Sequence, residues 1–184
     1  MQIFKVFQES AKETRHLRAL IITALMVTLH FIISGFEIYL TPQIRIGFSF
    51  LTIAVVGLLF GPVLAMTAGG LSDIISFLLN PAGTYFPGFT VSAILGGLIY
   101  GLFFYKKPVT LWRILCAKFL VSLLINLGLN TFWHTILYGK SFVVLFPARA
   151  LKNLILLPIE MLLLFFVLKT IRQIYLSMEK GLGT

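Results

Sequence analysis

From Ile46 to Leu79 the chain carries a single charged side chain, Asp73. That pattern leaves few folds open. About 18 or more mostly apolar residues is the length at which a helix spans a bilayer, and the chain contains several such runs in succession. Composition agrees: 59% of the 184 residues are hydrophobic, 11% are charged, and mean hydropathy is +1.00. Ordinary globular chains carry about 25% charged residues. A soluble domain is excluded, and the chain reads as an all-α integral membrane protein.

Six spans fit: Ala19 to Gly35, Ile46 to Phe60, Gly61 to Leu79, Pro87 to Tyr105, Ile114 to about Leu137, and about Ala148 to Ile171. Only Gly61-Pro62 marks the turn between the second and third. The first eighteen residues carry charges throughout and end in no small-residue cleavage site, so they read as a cytoplasmic segment rather than a leader. The single Cys116 lies in an apolar run, which gives no disulfide framework.

The net charge of +9 fits a membrane protein better than a nucleic-acid binder, because basic residues gather in cytoplasmic loops. Lys5, Lys12, Arg15, Arg18, Lys106, Lys107, Arg113, Lys118, Lys169, Arg172 and Lys180 fall on one side of a six-span path. That bias places both termini in the cytoplasm. Arg45, Lys140, Arg149 and Lys152 fall on the other side, beside one acid, Glu37. Charge at membrane depth is costly and marks function by default, although long basic side chains also snorkel to the interface. Four cations together point to an outward-facing pocket for an anion, and Asp73 is placed to orient one of them.

The stretch "NTFWHTILYGK" (130–140) closes the fifth span with polar and aromatic groups. Asn126, Asn130 and His134 share a helical face, flanked by Trp133 and Tyr138. Asn126, the deepest, suits a hydrogen bond between helices, and Trp133 and Tyr138 also suit the aromatic belt. "TYFPGFT" (84–90) brings Tyr85, Phe86 and Phe89 to the same side around a Pro87-Gly88 turn. Aromatic faces, amides and guanidinium make a place for a flat heterocycle bearing a carboxylate.

Catalytic signatures are missing. No GxxxxGK followed by Ser or Thr cradles a phosphate, the three His residues are dispersed without metal-ligand spacing, and the six acids offer no proton relay. The chain is expected not to be an enzyme and to need no cofactor or metal. Gly61, Ala65, Gly69 and Asp73 repeat every fourth residue, as do Gly97 and Gly101, spacing that lets helices approach closely. Ala19 with Thr23, and Ala24 with Thr28, form shorter small patches in the first span.

Taken together, "RIGFSFLTIAVVGLLFGP" (45–62), "YFPGFTVSAILGGLIYG" (85–101) and "NTFWHTILYGKSFVVLFPARALKN" (130–153) resemble the substrate-binding S-components of energy-coupling-factor (ECF) vitamin transporters, most closely the folate-specific branch. The resemblance implies a prokaryotic plasma-membrane protein that captures a vitamin from outside. Its partners would be a transmembrane coupling subunit and two cytoplasmic ATPase subunits, with toppling of the S-component during transport. It implies a cytoplasmic segment over 1–18, a six-helix substrate-binding domain over 19–172 and a cytoplasmic tail over 173–184. Arg45, Tyr85, Phe86, Phe89, Asn130, Trp133, His134, Tyr138, Lys140 and Arg149 would bind folate. Ala19, Thr23, Ala24 and Thr28 would meet the coupling subunit, where the family's A-x-x-x-A pattern is matched only approximately. The alternatives are an S-component for another vitamin, an intramembrane enzyme acting on a lipid-like substrate, and an assembly subunit without a ligand.

Overall fold

The computed structural model describes residues 2–41, 44–79, 84–139 and 142–182. In chain order the helices are α1 (Gln2–Glu13), α2 (Leu17–Ser34), α3 (Phe50–Phe60), α4 (Pro62–Leu79), α5 (Pro87–Phe104), α6 (Leu111–Leu120), α7 (Asn130–Tyr138) and α8 (Phe142–Leu182). A π-helical segment, Val121–Leu129, joins α6 to α7. Among the described residues five helical stretches are long and apolar enough to cross a membrane, the fourth of them running from Leu111 to Leu137.

The second expected span is the exception. Ile46 does not begin a helix; it ends a short antiparallel hairpin, β1 (Ile38–Thr41) with β2 (Ile44–Ile46). α3 starts at Phe50 and has 11 residues, about 16 Å at ~1.5 Å per residue. Branched Ile and aromatic Tyr favour extended backbone, and their hydropathy hides the change of conformation. α3 manages with this length because it is central. Thr52 to Leu58 and Phe60 are all buried, as suits a helix that is apolar all round.

α4 and α5 pack backbone to backbone. A methyl on Gly97 would strike the Ala65 carbonyl, one on Gly101 would strike Pro62, and one on Gly69 would lie 2.5 Å from the Ala93 carbonyl oxygen. The four-residue stripes are therefore an internal seam.

α1 is a brace across the end of the bundle that holds the α3–α4 turn. At that turn Gly61 takes φ +84°, and Ser10 sits against it. The Ser10 hydroxyl donates to the Phe60 carbonyl at 2.8 Å and accepts from the Val63 N–H at 2.9 Å, satisfying groups that a helix break leaves open. Lys106, after α5, pairs with Glu9 at 2.8 Å, which holds the Glu9 carboxyl below its usual range. Arg172 of α8 donates to the Lys107 carbonyl at 3.0 Å. The first turn of α2, the α5–α6 turn and the C-terminal part of α8 thus share one end with α1. The hairpin strands, the start of α5 and the start of α8 occupy the other.

Candidate ligand site

Between α2–α5 and the α6–α8 wall lies a cavity of about 470 Å³, within the roughly 300–1,000 Å³ range of small-molecule sites. Glu37, Gly47 and Thr84 line it at the hairpin end.

The aromatic group expected from "TYFPGFT" assembles here. Tyr85, Phe86 and Phe89 all line the cavity. Pro87 at the first turn of α5 starts the helix immediately after Phe86, which presents Phe86 and Phe89 on one edge. Their rings meet at 6.0 Å and 73°, Phe89 meets His134 edge-on at 5.0 Å, and Phe77 joins Tyr85 at 5.1 Å. The edge-on contacts match the ring quadrupoles.

Trp133 stands one layer back. Its indole N–H donates to Ser92 Oγ at 3.0 Å, its ring supports Phe86 at 5.5 Å, and it closes over Gly88. It does not line the cavity, so the structure gives it the part of a buttress.

The opposite wall depends on the π segment. π turns shift each hydrogen bond to the fifth residue along and cluster at functional sites. Asn126, Asn130 and His134, on one face by their four-residue spacing, line the cavity together. Thr131 caps the displaced Asn126 carbonyl at 3.3 Å, and His134 Nδ1 bonds the Asn130 carbonyl at 2.8 Å. Asn126 donates to Asn153 Oδ1 at 3.3 Å, the expected bond between helices, and Asn153 donates to the Arg149 carbonyl at 2.9 Å. Asn130 Oδ1 is buried without a hydrogen-bond partner among the described residues.

Arg149 lines the cavity and is 8% exposed; Lys152 lines it as well. The side chains of Arg45 and Tyr138, and all of Lys140, lie outside the described residues. Asp73 Oδ2 accepts from Thr90 Oγ1 at 2.6 Å, and that hydroxyl bonds Tyr85 at 2.7 Å. This network ties Tyr85 to Asp73 of α4.

Two groups escaped the sequence pattern. Lys118, counted among the cytoplasmic loop residues, is buried inside α6, and its ammonium lies 3.1 Å from Glu160 of α8. Both line the cavity. Opposite charges in two apolar spans were the available signal, because charges in spans tend to pair. The bias of basic residues survives the removal of Lys118 from that count.

The small residues of α2 divide. Ala19 and Thr23 turn inward with Val27, whereas Ala24 and Thr28 are exposed. Thr28 returns its hydroxyl to the Ala24 carbonyl at 3.1 Å, so this outer face is sterically small and its polar group is occupied.

A bundle of membrane-length helices around an interior, partly charged cavity defines a membrane protein built to hold a small polar molecule. The chain belongs to the family described as "ECF transporter, substrate-specific component", whose model matches residues 18–176. It is a multi-pass protein of the prokaryotic cell membrane. A protein named folate transporter FolT from Clostridium novyi (strain NT) is 41% identical over 160 residues, covering 87% of this chain and 93% of the relative. A protein of the same name from Leuconostoc mesenteroides subsp. mesenteroides is 31% identical over 157 residues, covering 82% and 84%. Among solved structures, a crystal structure of FolT bound with folic acid matches with TM-score 0.79 and 31% identity, covering 84% of this chain and 95% of that one.

Proposed function

We propose that this chain is the folate-binding subunit of an ECF-type importer. It captures folate from outside and delivers it through a transmembrane coupling subunit driven by two cytoplasmic ATPases. The observation that carries the reading is the cavity: aromatic rings, amide side chains and a buried guanidinium line it in a fold shared with a folic-acid-bound relative. Phe86, Phe89 and Tyr85 contact the ligand's rings, Asn130 and His134 meet its polar edges, and Arg149 takes a carboxylate, for which its planar fork is suited. Lys152 adds positive charge beside it. The proposed site retains Arg45, Tyr138 and Lys140 from the sequence pattern, and Trp133 acts through Phe86. Residues 1–18 and 173–184 face the cytoplasm in this reading, and 19–172 form the binding domain.

The subunit binds and hands on its ligand without chemical turnover. Ala24 and Thr28 are the docking face, because close approach of helices in lipid depends on small residues. Ala19 and Thr23 belong to the bundle interior and support that face from behind.

The test uses the purified chain with labelled folate and no ATP. Stoichiometric binding is expected, and liposomes holding this chain alone should show no uphill uptake until a coupling module and ATP are added. Absence of folate binding by folded protein overturns the ligand. Uphill uptake by the isolated chain overturns the mechanism.

A further inference from the structure

Lys118 and Glu160 are 2% and 7% exposed, and neither has a part in holding carboxylates at the mouth. The ammonium also sits 3.5 Å over the Phe50 ring. Packing alone does not explain a pair of this kind, since well-packed apolar replacements of buried ion pairs are often as stable or more so. The 3.1 Å contact is ionic rather than an aligned hydrogen bond. Glu160 Oε2, like the Tyr100 hydroxyl that lines the same cavity, has no hydrogen-bond partner among the described residues. The carboxylate is balanced in charge but not in hydrogen bonds.

Position adds direction. Arg149, Lys152 and Glu160 lie on one helix and all line the cavity. Glu160 is about 16 Å beyond Arg149 at ~1.5 Å per residue. One end of the cavity is cationic, and the other offers a carboxylate acceptor.

We propose that Glu160, balanced by Lys118, is a specificity-determining residue that reads the donor edge of the ligand's heterocycle. This rests on the folate reading. A 2-amino-4-oxo ring presents an exocyclic amine and an adjacent ring N–H side by side, and the Glu160 oxygen not turned to Lys118 accepts from that edge. The ligand therefore enters heterocycle first and leaves its glutamate carboxylates beside Arg149 and Lys152. Asp73 is the rival acceptor, but Thr90 already donates to it at 2.6 Å, and it stands toward the cationic end.

The experiment measures equilibrium binding to the purified full chain of folic acid, pteroic acid (which lacks the glutamate) and 2-desamino-2-methyl folic acid. The parent should bind the desamino analogue roughly 10- to 100-fold more weakly than folic acid, the scale of a lost hydrogen bond to a charged group. Glu160→Gln should weaken folic and pteroic acids by similar factors and lose most of the preference against the analogue. Asp73→Asn should keep that preference. If Lys118, left unpaired, prevents Glu160→Gln from folding, the Lys118→Met/Glu160→Gln double variant takes its place. The parent's ratio of affinities needs no variant at all. Equal binding of folic acid and the analogue by the parent overturns the proposal, as does a preference that survives loss of Glu160 or vanishes with Asp73. A parent that binds no folic acid is a different failure: it overturns the folate reading itself.

Discussion

The α4–α5 seam and the α6–α8 wall do opposite things with their sequence. At the seam, backbones meet through Gly69, Gly97 and Gly101, and there is no room for another methyl group. Along the wall, a π segment and two helix-internal prolines, Pro147 and Pro158, interrupt regular helix, and amides and charges face inward. Both surround the same cavity. The difference teaches that irregular backbone and polar groups are tolerated on one side because the other side is close-packed and fixed.

Adjacent glycines give the largest test of that contrast. Gly97 lies in the seam, while a Cβ on Gly96 would meet nothing within 4 Å, and Gly96 lines the cavity. Gly97→Ala should destabilise the chain by about 1–3 kcal/mol, the usual scale of overpacking, and Gly97→Leu should yield no monodisperse protein. Gly96→Leu should melt like the parent yet lose folate binding, because its side chain fills the cavity. Equal melting temperatures for Gly97→Ala and Gly96→Ala would erase the distinction between the seam and the cavity-facing side of α5.

Next in size is the outer face of α2. Ala24→Trp with Thr28→Trp should leave folate affinity within a few-fold while abolishing ATP-driven uptake and co-purification of the coupling subunit. Parallel loss of affinity and uptake would return these positions to the bundle interior.

Arg149→Ala should weaken folate binding by about 2–5 kcal/mol, roughly 30-fold to several thousand-fold, the range for removing one partner of a desolvated charge pair. Lys106→Ala is the control, since its side chain is 60% exposed at the opposite end. Parent-like affinity in Arg149→Ala would make that side chain an interfacial anchor.

A smaller effect separates buttress from contact. Trp133→Ala should cost about 1 kcal/mol of binding, roughly fivefold, by loosening Phe86, and Phe86→Ala should cost more. The reverse order would bring the indole into contact with the ligand, as the sequence pattern suggested. Fluorescence should respond through Trp133, with Trp112, 74% exposed, as the insensitive reporter.

The smallest effect concerns Glu9 and Lys106, both exposed. Lys106 holds the Glu9 carboxyl below its usual value of 4.5, so the contact stabilises the fold above that pH and fades as pH falls through the lowered value. Lys106→Ala should melt slightly lower than the parent at neutral pH, and the gap should close in acid. A gap independent of pH would assign the effect to packing of the lysine stem.

Much of this architecture is legible because hydropathy and four-residue spacing report burial directly. The glycine stripes, the Gly61-Pro62 turn and the clustering of Phe86, Phe89, Asn130, His134 and Arg149 all arise from such patterns. The hairpin at Ile38–Ile46 does not, because branched apolar residues raise hydropathy whether extended or helical. Lys118 was hidden by its closeness to a run of loop cations, and Glu160 by its isolation. Their pairing exists only in three dimensions. The position of Trp133 turns on its contacts with Ser92, Phe86 and Gly88 on another helix, which spacing along its own helix does not report.

That π segment also carries a consequence for comparing sequences. Each residue of an α-helix turns the chain by about 100°, whereas a π turn absorbs one extra residue and leaves the downstream helix facing the same way. Deleting one residue within 121–129 would convert the turn to α while Asn130 and His134 kept their face toward the ligand, and the span would shorten by one residue. A relative lacking that residue should therefore align with a single gap there, and its match to Asn130 and His134 across the gap would be a match of the same face.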